Sequence, residues 1–180
     1  MYEEINQEII EESKRGDRRA QYLLYQRYAR NMYNICLRMM HGREEAEDML
    51  QEAFVEAFRQ LSSFRYESTF GAWIKRIVIN RCINELKRKR AVLEYFADME
   101  LWERLPDEPE VEEQMIQPTA LRKAMETLPE GSRLIFSLYL LEGYDHREIS
   151  GILGISESTS KSQYMHARRK VKNALMEIMS

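Results

Sequence analysis

The sequence predicts an all-α protein of two small helical domains joined by an acidic linker. Three observations carry this prediction. Apolar residues recur at intervals of three and four over long stretches, and an alternation of period two is absent. All four prolines, Pro106, Pro109, Pro118 and Pro129, lie in the second half, so only Gly16, Gly42 and Gly71 punctuate the first hundred residues. Charge is segregated along the chain. Leu61 to Arg90 holds eight basic and two acidic residues, net +6; Ala91 to Ala120 holds nine acidic residues and one Arg, net −8. Gly151 to Ser180 returns to +3, although the 180 residues together carry only −3. A length of 180 residues suits two small domains, and the composition sets their limits at 1–92, 93–117 for the linker and 118–180.

Asp17 is placed to cap a helix with Leu24, Tyr28, Met32, Ile35 and Met39 at spacings of three and four, ended by His41 and Gly42. The next helix carries Leu50, Ala53, Phe54, Ala57, Phe58 and Leu61 on one face. Ser62 to Glu67 reads as a loop, and Ser68 is placed to cap a third long helix reaching about Arg90. The linker ends in a proline-rich acidic stretch and includes a short helix near Leu93 to Leu101. Beyond it, Thr119 to Leu128, Arg133 to Leu141, His146 to Leu153 and Glu157 to Ile178 read as helices, separated by Pro129 with Gly131, by Gly143 and by Gly154.

The helix from Ser68 is the most informative. Every fourth residue from Phe70 gives Phe70, Ile74, Val78, Cys82 and Leu86, an apolar row; starting at Ala72 gives Ala72, Arg76, Asn80, Asn84 and Arg88. The two rows are about 200° apart on a helix, so one faces a core and the other faces outward. Arg and Lys neutralise phosphates and Asn pairs with base edges, so this row has the chemistry of a nucleic-acid surface. Phe64 and Tyr66 in the preceding loop are aromatics suited to stacking on an unpaired base. The helix before it carries Glu45, Asp48, Glu52 and Glu56 at spacings that repel by about 0.2–0.5 kcal/mol per pair, a stripe suited to a basic protein partner. In the last domain, Asp145 and Glu148 form a capping box, Gly154 makes a sharp turn and Ser156 caps the second helix of a helix-turn-helix. That helix turns Tyr164, Ala167, Val171 and Leu175 inward. Its first turns, with Ser158 and Thr159, are those that enter a major groove, and Lys161, Ser162, Gln163, His166, Arg168 and Arg169 fall on the remaining surface.

Other function classes fare poorly. His41, His146 and His166 have no triad or metal spacing, and no glycine-rich phosphate loop exists, so neither catalysis nor a cofactor or metal is expected. Cys36 and Cys82, 46 positions apart, make no disulfide framework. No run approaches the roughly 20 apolar residues of a membrane span, and Met1 to Glu12 mixes acidic and apolar residues unlike a signal or transit peptide. A soluble, cytoplasmic protein is expected.

With these residues in place, the chain resembles the bacterial RNA polymerase sigma factors of the extracytoplasmic-function (ECF) class. Glu47-Asp-Met-Leu-Gln-Glu-Ala-Phe54, Phe64, Ser68-Thr-Phe-Gly-Ala-Trp-Ile-Lys-Arg-Ile77 and Asn80 resemble their region two. Leu128-Pro129, Arg133, Glu148-Ile149, Leu153-Gly-Ile-Ser156 and Ala167-Arg168 resemble region four. The resemblance implies that Asp48, Gln51 and Glu52 dock on the β′ coiled coil of core RNA polymerase. It implies that Phe64, Arg65, Tyr66 and Glu67 capture a flipped base of the −10 element, with Arg76 and Asn80 facing the same DNA; Asn84 and Arg88 continue that row. Lys161, Ser162, Gln163, His166 and Arg169 match the reader of the −35 element, and residues from Arg133 to Leu141 match the side that meets the β flap. An anti-sigma factor that covers the polymerase-binding faces is the regulator the resemblance implies. Two positions depart from the pattern. Ser160 replaces the usual Val or Ile, which predicts looser packing, and His166 stands where many members have Arg. An autonomous helix-turn-helix regulator accounts for Asp145 to Arg169 but leaves the acidic stripe and Phe64 to Arg90 unexplained. An α-helical adaptor explains the acidic faces but not the two basic helices.

Overall fold

The computed structural model describes residues 2–40, 42–89 and 117–179 and falls into two compact units, Met1–Glu85 and Leu86–Ser180. Among the described residues every regular element is helical. The expected linker over 93–117, with its short helix near Leu93 to Leu101, lies outside the described residues apart from Gln117, and so does His41.

The first unit is built from α1 (Tyr2–Lys14), α2 (Arg18–Met39), α3 (Arg43–Gln60), a 3-10 turn at Leu61–Ser63 and most of α4 (Phe70–Arg88). Helix α1 is not among the elements expected from the sequence. Its acidic residues hide the spacing of four between Ile5 and Ile9, and the helix packs along α2 with Ile10 buried. Gly16, at φ +88, turns the chain after α1 in the left-handed region where side chains are penalised. Asp17 then caps α2 as expected, its carboxylate accepting the Ala20 N–H at 2.8 Å. Gly42 has an ordinary extended φ of −136, so it uses none of its extra freedom.

Ala46, Ala53 and Ala57 are wholly buried, which lets α3 lie close against α2 around Leu24, Met32, Ile35, Met49, Leu50 and Phe54. The Tyr28 ring packs on Phe70, centroids 5.0 Å apart. Gly71 makes room for it, because a β-carbon there would sit 3.1 Å from Tyr28 Cε1. Cys36 and Cys82 face each other in this core with their Sγ atoms 3.9 Å apart. The neighbouring thiol and burial raise the Cys82 thiol above its ordinary range. The start of α4 differs by one residue from expectation. Thr69, not Ser68, caps it: its Oγ1 accepts the Ala72 N–H at 3.2 Å and its carbonyl accepts the Trp73 N–H at 3.0 Å.

The second unit holds α5 (Pro118–Glu126), α6 (Glu130–Phe136), a π-helical turn at Ser137–Leu141, α7 (His146–Leu153) and α8 (Glu157–Met179). Pro118 opens α5 at a position where its missing N–H costs nothing. Gly131, expected as a break, lies inside α6, which starts at Glu130 rather than Arg133 because Pro129 alone supplies the stop. Ala124, Met125, Leu128 and Phe136 meet Ala167, Val171 and Leu175 of α8 in one core. The capping box of α7 is complete: Asp145 Oδ1 accepts the Glu148 N–H at 2.7 Å and Glu148 Oε2 accepts the Asp145 N–H at 2.9 Å. Gly154 takes φ +70 and ψ 33, and Ser156 Oγ accepts the Thr159 N–H at 3.0 Å to start α8.

The expected looseness at Ser160 is not what the structure has. Ser160 is fully buried and its Oγ shares a 2.9 Å hydrogen bond with Nδ1 of His146, whose ring stacks on Tyr139 at 4.3 Å. A polar pair replaces the aliphatic contact between the two helices of the hairpin. Ser160→Ala is expected to cost about 1–3 kcal/mol, because the imidazole then keeps a half-buried nitrogen without its partner. Burial, then Lys161, holds the His146 imidazole below its ordinary 6.5. The unfolded chain therefore binds the proton first. The second unit keeps its full stability above pH 6.5 and loses part of it as the pH falls below that value. Urea unfolding as a function of pH checks this, and His146→Asn should reduce the dependence, the rest belonging to His166, whose imidazole is also held below its ordinary range by burial.

Candidate nucleic-acid interface

Helix α4 presents the two rows the sequence defines. Phe70, Ile74, Val78, Cys82 and Leu86 are buried, and Ala72, Arg76, Asn80, Asn84 and Arg88 are exposed. Helix periodicity alone produces this separation once the apolar row is inside. The outward row is two guanidinium groups and two amides with no carboxylate among them, a surface that attracts phosphate and offers hydrogen bonds to bases.

The loop before α4 is arranged differently from the sequence expectation. Phe64 is only 4% exposed, its ring set among those of Phe70 at 5.9 Å, Trp73 at 5.3 Å and Tyr66 at 4.8 Å. It is a core residue that anchors the loop, and the expected stacking of Phe64 on a base is contradicted by that burial. Tyr66 is 40% exposed, with Arg65 and Glu67 exposed beside it. Among the described residues Tyr66 is the one non-glycine with a positive φ, at +60. Such a conformation costs about 1–3 kcal/mol and persists only where surrounding contacts enforce it.

Those contacts come from α1. Lys14 Nζ donates to the Phe64 carbonyl at 3.0 Å and to Glu11 Oε1 at 2.9 Å. The Tyr66 hydroxyl donates to the same Glu11 oxygen at 2.6 Å, and the Lys14 ammonium sits 4.5 Å from the centre of the Tyr66 ring. The hydrogen bonds from Tyr66 and then Lys14 hold the Glu11 carboxyl below its ordinary range. Burial and the Glu11 carboxylate push the Tyr66 phenol up to about 12. Glu11 and Lys14, which hold this loop, are not among the residues that sequence reasoning singles out. Their signal was the helical spacing of three within an unassigned segment.

On α3, Asp48, Gln51 and Glu52 are exposed as expected, and Glu52 Oε2 accepts from Arg81 Nη2 of α4 at 2.8 Å. Val55, 51% exposed, follows one turn after Gln51 and Glu52 and adds an apolar spot to the acidic surface. An exposed acidic surface edged by an apolar side chain has the charge to complement a basic partner.

On α8, Ser158 is exposed, and Thr159, Ser162, His166 and Arg169 are partly exposed. Lys161 is exposed and paired with Glu157 at 2.6 Å. Ser158 Oγ and Thr159 Oγ1 lie 2.9 and 2.7 Å from Ser156 Oγ, and Ser162 Oγ donates to the Ser158 carbonyl at 2.9 Å. Gln163 is the exception to the expected reading face. It is 1% exposed, and its Oε1 accepts from Ser132 Oγ of α6 at 3.0 Å, so it turns inward toward α6 and away from any groove. Burial, then Arg169 and Lys170, keeps the His166 imidazole below its ordinary range. Arg133 to Leu138, expected on a docking side, are buried in α6 and the π-helical turn, where only Tyr139 and Leu140 are exposed. Among the described residues no group of three His, Cys, Asp or Glu could hold a metal ion, and no helix is long and apolar enough to cross a membrane.

Residues 24–92 match the family described as Sigma-70 region 2, and residues 119–171 match Sigma-70, region 4. Over nearly its whole length the chain is similar to the RNA polymerase sigma-H factor of Pseudomonas aeruginosa, at 30% identity covering 98% of this chain and 97% of that one. It is also similar to the ECF RNA polymerase sigma-E factor of Escherichia coli, at 28% identity over 97% and 96% of the two chains. Two solved structures share the fold. One is the sigma factor RpoE from Bartonella quintana, in complex with the anti-sigma factor NepR, with a TM-score of 0.54, 17% identity and 86% and 96% of the two chains covered. The other is CnrH in complex with the cytosolic domain of CnrY, with a TM-score of 0.51, 23% identity and coverage of 96% and 97%.

The difference between Phe64 and the outward row gives a direct check. Phe64→Ala is expected to destabilise the protein by about 3–5 kcal/mol, whereas Arg76→Ala should stay within about 0.5 kcal/mol. Equal, small shifts in urea midpoint for both would take Phe64 out of the core.

Proposed function

This chain belongs to the ECF class of RNA polymerase sigma factors, and we propose that it binds core polymerase through α3, opens the −10 element with α4 and its preceding loop, and reads the −35 element with α8. The observation that carries the reading is the outward row of α4, carboxylate-free from Ala72 to Arg88, beside a loop whose backbone is held in a strained shape. Promoter opening requires a base to leave its stack at a cost of a few kcal/mol. A protein offsets that cost by receiving the base in a formed pocket and by neutralising the neighbouring phosphates. Arg65, Tyr66 and Glu67 supply exposed groups for the pocket, and Phe64 supports them from below. Arg76, Asn80, Asn84 and Arg88 supply the adjacent strand contact. Nothing in this role needs a reacting group; the chain contributes binding energy and geometry and catalyses no step of its own.

Asp48, Gln51, Glu52 and Val55 form the face offered to the β′ coiled coil, where acid complements a basic partner and speeds encounter. Tyr139 and Leu140, exposed apolar side chains at the end of the π-helical turn, are the residues available to the β flap. On α8, Lys161, His166 and Arg169 carry the −35 contacts, Ser158 and Thr159 line the first turn, and Gln163 supports the helix from inside. Lys161 must exchange Glu157 for the promoter, a small loss for an exposed pair. An anti-sigma factor, like the one present with RpoE, is the partner that would cover these faces when transcription is off. The place of action is the cytoplasm, where chromosome and polymerase are.

Transcription from a promoter library by core polymerase, with and without this protein, tests the proposal: initiation at a selected set of sites only when the protein is present is expected. Asp48→Arg combined with Glu52→Arg should abolish co-elution with core polymerase while leaving the thermal unfolding of the chain unchanged. Arg76→Ala should reduce permanganate reactivity in the −10 region more than it reduces polymerase affinity. Lys161→Ala should weaken recruitment by about 1–3 kcal/mol on one −35 sequence if it reads a base edge, and evenly over all sequences if it meets phosphate.

A further inference from the structure

We infer that Glu11 and Lys14 of α1 are positioning residues for the promoter-opening loop, setting the shape in which Tyr66 and its neighbours meet the melted strand. This rests on the sigma reading of α4 and adds to it an element, α1, that lies outside both matched regions, 24–92 and 119–171.

The loop from Phe64 to Thr69 has little regular structure to define it. A six-residue connection left to itself samples many conformations, and ordering it on contact with DNA would subtract from the energy available for base capture. Two ties from α1 remove that freedom. The first is to the backbone, Lys14 Nζ to the Phe64 carbonyl at 3.0 Å, at the point where the loop leaves the core. The second is to a side chain, the Tyr66 hydroxyl to Glu11 Oε1 at 2.6 Å, two residues further on. Between them the chain takes the left-handed φ of +60 at Tyr66. Lys14 and Glu11 are themselves bonded at 2.9 Å, so the two ties act as one bracket, and the ammonium 4.5 Å from the Tyr66 ring adds a third contact to it. The ring consequently lies against Phe64 and α1, and the side chains on either side, Arg65 and Glu67, are exposed.

A bracket of this kind has no need to touch DNA. It places the backbone of the loop before DNA arrives, so its loss should appear in promoter opening and not in polymerase docking, which belongs to α3. The test uses the full-length protein with core polymerase on a duplex promoter that the wild type opens, reading permanganate reactivity of the −10 thymines beside polymerase affinity and thermal unfolding. Glu11→Ala is expected to lower opening about fivefold or more, the size of losing one charge-assisted hydrogen bond at an exposed site, with polymerase affinity unchanged and the unfolding temperature lowered by no more than about 8 °C, the size the same lost bond has for folding. Glu11→Gln keeps an acceptor for the hydroxyl and should restore most of the opening. Tyr66→Phe, a milder change that keeps the ring in place, should lower opening to a similar extent. Glu11→Ala with Tyr66→Phe should be no worse than either alone, since both remove the same bond. Opening at the wild-type level in Glu11→Ala, strictly additive losses in the double variant, or a parallel loss of polymerase affinity would each overturn the inference. Failure of the wild type itself to open any promoter with core polymerase would instead count against the sigma reading, so the two failures are distinguishable.

Discussion

The burial of Phe70, Ile74, Val78 and Cys82 fixes the rotation of α4 about its own axis, and the functional surface of the first unit follows from that one constraint. More than three turns of apolar contact hold this orientation, and turning the helix by two residues, about 200°, would bring Arg76 and Asn80 into the core. The outward row therefore owes its position to side chains on the opposite side of the helix. The mutual fit of Gly71 and Tyr28 works in the same direction, since a methyl group at the start of α4 would fit only if the Tyr28 ring gave way slightly.

The charges of this unit are arranged around that fixed helix. Acid is gathered on α3, base and amide on α4, and Arg81 with Glu52 joins the two along their shared edge. An exposed ion pair of this type contributes little to stability. Its effect is to orient Glu52 at the edge of an acidic face whose remaining members, Asp48 and Gln51, are open to a partner. The loop preceding α4 is organised by another charge group, Glu11 with Lys14, and the strained Tyr66 backbone shows that the organisation is enforced by contacts and does not arise from local preference.

In the second unit the helix-turn-helix is held by polar contacts as well as apolar ones. Ser160 with His146 and Ser132 with Gln163 are buried or half-buried pairs between different helices. Paired in this way, hydroxyl and amide groups fix the helices in one register, while the same groups unpaired would destabilise the core. The stack of Tyr139 on His146 continues the arrangement to the π-helical turn, whose wider winding leaves Tyr139 and Leu140 at the surface.

The sequence by itself determined the helical class, seven of the eight helices among the described residues, the capping at Asp17, Asp145 and Ser156, and the two opposed rows of α4. All of these rest on spacings of three and four residues, which a linear reading sees directly. It also placed the acidic face of α3 and the exposed part of α8 from the same periodicity. It did not determine which polar or aromatic residues turn inward where partners come from far along the chain. Gln163 reads as surface because its partner Ser132 comes from another helix, and Phe64 because it lies in a loop outside any periodic row, although the Tyr66, Phe70 and Trp73 rings around it are close in sequence; Glu11 and Lys14 read as an ordinary solvated segment. Only the tertiary structure decided these, because the contacts join residues 50 and 55 apart in the loop bracket and 31 apart at Ser132 and Gln163. Periodicity is a property of one helix, whereas the choice between core and surface for a residue outside the periodic row depends on what another helix brings to it.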